Sequence, residues 1–290
     1  MTEPGYNWRR ASRGLLLAGF GTFLLLTTLD VLSWSFWLEV ITLWPVLLIA
    51  LGIRLIFQRS QYPWAVLLSP LLILGAMAYV ASAEPRPYSG PEGRIEAARP
   101  LEATRWRLEG DLALADLDLH AGAVTPGLLL EGEVTGERGR PSVTVLGSDD
   151  SPRVRMRNLR VRRIMPFRGR WGGELRARLA ADLPVTLDLD AAFVEGVIDL
   201  GAAVVARADV EGAFLDLSLR LPAPAEEVTV RLEGAFNRLE LEVPAGTPVE
   251  VRTDGFMNHV GRRRSQPGGG APGYRLLVAG AGNWVNVQSD

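Results

Sequence analysis

Ten arginines and a single acid, Glu174, stand between Arg153 and Arg178 in the stretch "RVRMRNLRVRRIMPFRGRWGGELRAR". A guanidinium group grips phosphate or carboxylate through two parallel N–H donors, so the chemistry suggested is anion binding. Arg153, Arg155 and Arg157 alternate and would share one face of a strand. Arg160, Arg162 and Arg163 continue the charge beyond Asn158, and Arg168 and Arg170 follow. Met165, Phe167 and Trp171 among them suit a surface that faces a membrane. Two readings stand open: a site for phospholipid headgroups or an anionic wall polymer, or a solvated strand and loop balanced by acids elsewhere. Nucleic acid is not an expected partner, because the domain is expected outside the cell.

Other chemistries find less support. Asp188, Asp190, Asp199, Asp209 and Asp216 could be read as a calcium ladder or a glycosidase pair, but each takes the outward phase of a strand pattern, where acids serve solubility. The two histidines, His120 and His259, sit in no metal-binding spacing. The absence of cysteine excludes disulfides, thiolate nucleophiles and Cys-ligated metals. No enzyme activity, cofactor or metal site is therefore expected. All 31 basic residues are arginine, and the net charge of -2 points to no polyionic partner. "NHVGRRRSQPGGGAPG" from Asn258 reads as an exposed loop carrying a second basic cluster, Arg262 to Arg264, with His259 as a loop residue.

These side chains must be positioned by two kinds of element. Residues 1–83 read as a membrane domain with three spanning helices at about 14–34, 38–57 and 62–82, each near the 20 residues that cross a bilayer core. Trp34, Trp37, Trp44 and Trp64 fall near the ends, where indole suits the headgroup level, and Pro45 and Pro70 are expected to bend their helices. Gly14, Gly19 and Gly21 would permit close packing with a partner helix. Arg9, Arg10 and Arg13 before the first helix, with Arg54 and Arg59 at the second connection, put the N-terminus in the cytoplasm. Three spans then place the rest outside. Cleavage after Ala83, in the small-residue motif "ASA", is the alternative.

Residues 84–100 are rich in Pro, Gly and charge and read as a linker, and 101–290 as an extracytoplasmic β domain. Leu215, Leu217, Leu219 and Leu221 alternate with Asp216, Ser218 and Arg220, and the same period of two runs through Val185–Leu189 and Leu239–Val243. "VEGAFLDLSLRLP" from Val210 recurs as "LEGAFNRLELEVP" from Leu232, with glycine, phenylalanine, leucines and proline in register. Such a repeat fits stacked coils of a β-solenoid, an antiparallel sandwich being the alternative. Gly196, Gly212 and Gly234 would supply positive-φ corners, and Phe193, Phe214 and Phe236 would stack inside.

The segment "LDVLSWSFWLEVITLWPVLLIALGIRLI" resembles the transmembrane region of LiaI- and LiaF-like bacterial proteins, with Trp44, Pro45, Leu47, Leu48, Ile49 and Gly52 carrying the match. The soluble part resembles the toastrack-type domain found behind such segments. Leu117, Leu119, Gly122, Leu129, Leu130, Glu131 and Gly132 match its first piece, and Trp171, Leu183, Pro184, Leu187, Leu189, Asp199 and Leu200 its middle. Ala192 and Glu211 depart from it where glycines are more usual, as does the arginine stretch. The resemblance implies a multi-pass protein of the cytoplasmic membrane that responds to cell-wall-active antibiotics. It also implies restraint of a sensor histidine kinase or another membrane partner, and brings no catalytic residues. The alternative is a structural or adhesive envelope module that holds its solenoid against the membrane or an anionic wall polymer.

Overall fold

The computed structural model describes residues 8–28, 40, 43–57, 63–82, 92–138, 142–157, 172–263 and 272–289. Helices and strands form separate compact units. In the first, α1 spans Trp8–Thr28, α2 spans Trp44–Phe57, and a 3-10 turn at Pro63–Leu67 leads into α3 at Leu68–Ser82. Pro45 and Pro70 fall in the first turns of α2 and α3. An N–H in the first turn has no intrahelical acceptor, so proline is tolerated at the start of α2, and Pro70 stands where the 3-10 turn passes into α3. Gly19 lets α1 approach α3, since a Cβ there would lie 2.3 Å from Leu74, whereas Gly14 and Gly21 face open space.

Among the described residues no helix is long and apolar enough to cross a membrane. The expected spans at 14–34, 38–57 and 62–82 differ from the helices for identifiable reasons. α1 begins at Trp8 and takes Arg9, Arg10 and Arg13 into its first turns, α2 begins one residue before Pro45, and the third segment spends its first turn as 3-10. At 1.5 Å per residue, the 14 residues of α2 and the 15 of α3 reach about 21–23 Å. The helix surfaces are nonetheless apolar: Leu17 is 75% exposed, Ile56 70% and Tyr79 68%.

The strand unit follows from the period of two. Val185, Leu187, Leu189 and Ala191 of β7 (Pro184–Asp199) are buried, and the residues between them face out. Inward rows stack over β8 (Val204–Ala213), β9 (Asp216–Arg220), β10 (Val228–Ala235) and β11 (Arg238–Val243). β10 lies parallel to β8 with Leu232 beside Val210 and Gly234 beside Gly212, and β11 lies parallel to β9 with Leu239 beside Leu217. The repeated segments are thus neighbouring coils, each with one strand on either face. A sandwich of hairpins would have paired them antiparallel.

The first face carries β8 and β10 beside the first halves of β7 and β2 (Trp106–Gly122); the second face carries β9 and β11 beside their second halves. At the N-terminal end β5 (Ser151–Arg157) and β6 (Gly172–Ala180) lie parallel to the two halves of β2. Antiparallel β4 (Ser142–Ser148), β3 (Leu128–Arg138) and β1 (Glu92–Ala98) finish that end. β1 lies within the segment read as a linker, because Ile95 and Ala97 bury against the core. At the other end chain order and stacking order part. β14 (Tyr274–Ala281) sits between β10 and β12 (Val249–Phe256), and β15 (Trp284–Ser289) between β11 and β13 (His259–Arg263). The stretch from Asn258 is therefore strand through Arg263, and His259 stacks on Trp284 with ring centres 4.2 Å apart; 264–271 lie outside the described residues.

Between the faces each coil turns through one left-handed residue: Leu114, Phe193, Phe214, Phe236 and Met257 all have φ of 55–57°, and Gly282 has 68°. The glycines expected at these corners do have positive φ, 156° at Gly196, 151° at Gly212 and 131° at Gly234, but stand beside the turning residue and not at it. Gly212 and Gly234 lie two residues earlier, and a Cβ on either would fall within 2 Å of the carbonyl oxygen of the next coil, Ala191 or Gly212. Gly196 lies on the second strand beside Leu117 and is not in register with them. The phenylalanines stack, at 4.8 Å between Phe193 and Phe214 and 5.4 Å between Phe214 and Phe236, but on the outside of the corner. Positive φ swings the side chain outward, and the following residue, Val194, Leu215 or Asn237, fills the core.

Three asparagines beside the corner, Asn237 and Asn283 of them buried, bond in a ladder. Asn237 accepts the Leu215 N–H at 3.1 Å and donates to the Gly212 carbonyl at 3.0 Å. Asn283 does the same for Asn237 and Gly234, and Asn258 for Asn283 and Gly280. Polar groups in the corner are thereby satisfied without water.

Candidate functional site

The outward face of β5 carries Arg153, Arg155 and Arg157 together, as their alternation predicts. Their register brings Arg107, Glu109 and Asp111 of β2 alongside. Arg155 donates from Nε and Nη2 to one carboxylate oxygen of Glu109, at 2.9 and 2.7 Å. Arg157 Nε reaches Asp111 at 3.0 Å. Arg153 stands 3.8 Å from Glu109 and Arg107 3.8 Å from Asp188, so these two keep the loosest pairings. An incoming phosphate would compete with carboxylates already in place. Arg160, Arg162, Arg163, Arg168 and Arg170 lie outside the described residues. In α2, Trp44 is 47% exposed and Gly52 has open space beside it, both on the apolar helix surface.

The acids and histidines are dispersed over the two faces. Asp188, Asp190 and Asp209 lie on the first, Asp199 and Asp216 on the second. His120 is held by Asp118 at 2.6 Å and stands 3.8 Å from Asp199, which in turn is 3.8 Å from Arg220. No group that could hold a metal ion occurs among the described residues. Asp216 is the most perturbed carboxyl: burial, then the charges of Glu195 and Glu240, push it up to about 6. Arg238 stands 4.0 Å away, at the outer limit of an ion pair.

The left-handed corner is the surface that residue-by-residue reading missed. Phe236 is 49% exposed and Met257 73%, with Phe193 and Phe214 half-buried against one another. Its signal was the Glu-Gly-Ala-Phe repeat itself, in which a bulky residue recurs where the chain must turn.

Residues 12–91 match the family model of the LiaF transmembrane domain, a match that implies membrane association of this segment. The resemblance of this segment to LiaF-like proteins therefore holds. No curated protein sequence matches the chain. Among solved structures, a candidate cell adhesion protein from Clostridium sporogenes is similar over 69% of this chain and 99% of its own, at 15% identity with a TM-score of 0.58. At that identity the likeness is one of fold. A candidate adhesin from Bacteroides fragilis aligns over 69% of this chain and 98% of its own at 6% identity, with a TM-score of 0.21, too remote to bear on the fold.

Proposed function

We propose, from a LiaF-like membrane segment ahead of a toastrack-like solenoid, that this is a non-enzymatic bacterial envelope-stress regulator acting through a membrane partner such as a sensor histidine kinase. The match at residues 12–91 carries this reading. The protein is multi-pass in the cytoplasmic membrane, with its N-terminus in the cytoplasm and its solenoid outside, a topology supported by Arg9, Arg10 and Arg13 ahead of the first apolar run. The apolar surfaces of α1, α2 and α3 are of the kind that lipid or partner helices cover. Among the described residues the titratable groups of the solenoid are dispersed and offer no convergent set for acid–base or nucleophilic work. The test is deletion of the gene in its own bacterium, followed by transcript profiling with and without a cell-wall-active antibiotic. A regulator shifts the basal or induced response, and complementation restores it; an unchanged response overturns the reading.

A structural or adhesive module is the second reading, favoured by the fold shared with the candidate cell adhesion protein. Its ligand would be a membrane surface or an anionic wall polymer at the outward face of β5, where Arg153 and Arg107 are the most loosely paired. It predicts sedimentation of the protein with isolated wall material and loss of that binding on Arg153→Ala.

A further inference from the structure

Two rows of carboxylates run beside the phenylalanine row, one on each face. On the first face Asp111, Asp190, Glu211 and Glu233 stand opposite one another on successive strands. On the second face Glu174, Asp116, Glu195 and Asp216 do the same, there with Arg176 paired to Glu174 and Arg238 standing 4.0 Å from Asp216. Strands lie about 4.8 Å apart, and like charges directly opposite destabilise a sheet. The first row has basic partners at its ends, Arg157 at 3.0 Å from Asp111 and Arg231 at 3.7 Å from Glu233. Among the described residues no ion pair reaches Asp190 or Glu211. Between this row and the rings lies a strip of small residues, Ala113, Ala192, Ala213 and Ala235, in register across the coils.

Each position of the Glu-Gly-Ala-Phe motif thus has its own task. Glycine admits the neighbouring coil, alanine leaves a low strip, phenylalanine faces outward, and glutamate extends an acid row. The arrangement is costly: a non-glycine residue in the left-handed region is strained, and the carboxylates repel. An apolar ridge with an acidic row on either side is complementary to a cationic chain carrying apolar side chains, and has the wrong sign for an anionic lipid surface.

We propose that this corner docks a basic polypeptide segment laid along the stacking axis of the coils. Its apolar side chains rest on Phe193, Phe214 and Phe236, and its arginines or lysines reach the acid rows, with guanidinium–ring contacts available at the edge of the stack. The surface stands independently of the kinase and of the orientation in the membrane.

The experiment uses the full-length protein in nanodiscs and a fluorescein-labelled peptide of alternating arginine and leucine, read by anisotropy. The expected result is saturable binding, weakened at least tenfold in the Asp190→Asn, Glu211→Gln, Glu233→Gln triple variant and weakened by added salt. These exposed substitutions relieve repulsion, so loss of fold does not confound them. Phe193→Asn with Phe214→Asn, which keeps a residue tolerant of the left-handed corner, is expected to weaken binding similarly. Equal binding by the acid-neutralised variant, or by a peptide with serine in place of arginine, overturns the proposal. Because the chain has no cysteine, Phe236→Cys can carry an environment-sensitive dye. A blue shift on adding peptide supports the docking site; a shift produced instead by anionic lipid in the disc assigns the ridge to the membrane and overturns it.

Discussion

Single residues at the corner divide into those that hold the coil and those that face solvent. Asn237 is 1% exposed, and its side chain serves the Leu215 N–H and the Gly212 carbonyl. Asn237→Ala leaves both without partners, at a cost on the order of 3 kcal/mol, read as a drop in the urea midpoint. Gly212→Ala is expected to be worse. Its Cβ would stand 1.7 Å from the Ala191 oxygen, a backbone atom that cannot swing aside, so the variant loses the coil rather than a bond. Asp216 makes a pH-dependent prediction. Its carboxyl is raised to about 6, so the folded state binds the proton more tightly than the unfolded chain. Stability contributed by this group is present at low pH, falls as pH rises from about 4 to about 6, and is flat above. Asp216→Asn should therefore raise the urea midpoint near neutrality and leave it unchanged near pH 4. A midpoint unaffected at both values would mean that Arg238 compensates the charge after all.

At the scale of elements, the solenoid was legible where period and repeat coincide. Leu217, Leu219, Leu239 and Leu241 announce inward rows, and the recurrence of Glu-Gly-Ala-Phe announces two coils in register. What escaped had no local signature. A phenylalanine does not advertise positive φ, so the stack was placed inside. The acids that hold Arg155 and Arg157 lie 46 residues earlier and meet them only through the parallel register of β2 and β5. Nor does Tyr274–Ala281 differ in pattern from any other coil, so nothing in it tells that β14 slips between β10 and β12. That insertion has an energetic consequence. Tyr274 is 2% exposed and donates its hydroxyl to the Pro222 carbonyl at 2.7 Å, so the last coil is bonded on both sides and pinned across the core. Removing residues 264–290 should therefore do more than trim a terminus. β12 and β13 lose their only strand neighbours among the described residues, and limited proteolysis should then cut within 249–263, while the coils from β2 to β9 stay protected. Protection of 249–263 in the shortened protein would mean that β12 closes directly onto β10.

For the whole molecule the decisive quantity is the side of the membrane on which the solenoid lies, because the regulatory reading requires the outer face. None of the described helices is long and apolar enough to cross, and the arginines before the first apolar run favour a cytoplasmic N-terminus. With no native cysteine, single introduced thiols report position cleanly. Ser148 is exposed at the end of β4 and suits a probe of the strand unit, whereas Ser12 is 6% exposed within α1 and would stay unlabelled on either side. Thr2→Cys is the better partner. In intact cells a membrane-impermeant maleimide should label Ser148→Cys and not Thr2→Cys, and both should react after the cells are opened. The reverse pattern would put the solenoid in the cytoplasm, where it cannot meet the wall, and the acid-flanked phenylalanine ridge would then have to find its basic segment among cytoplasmic proteins.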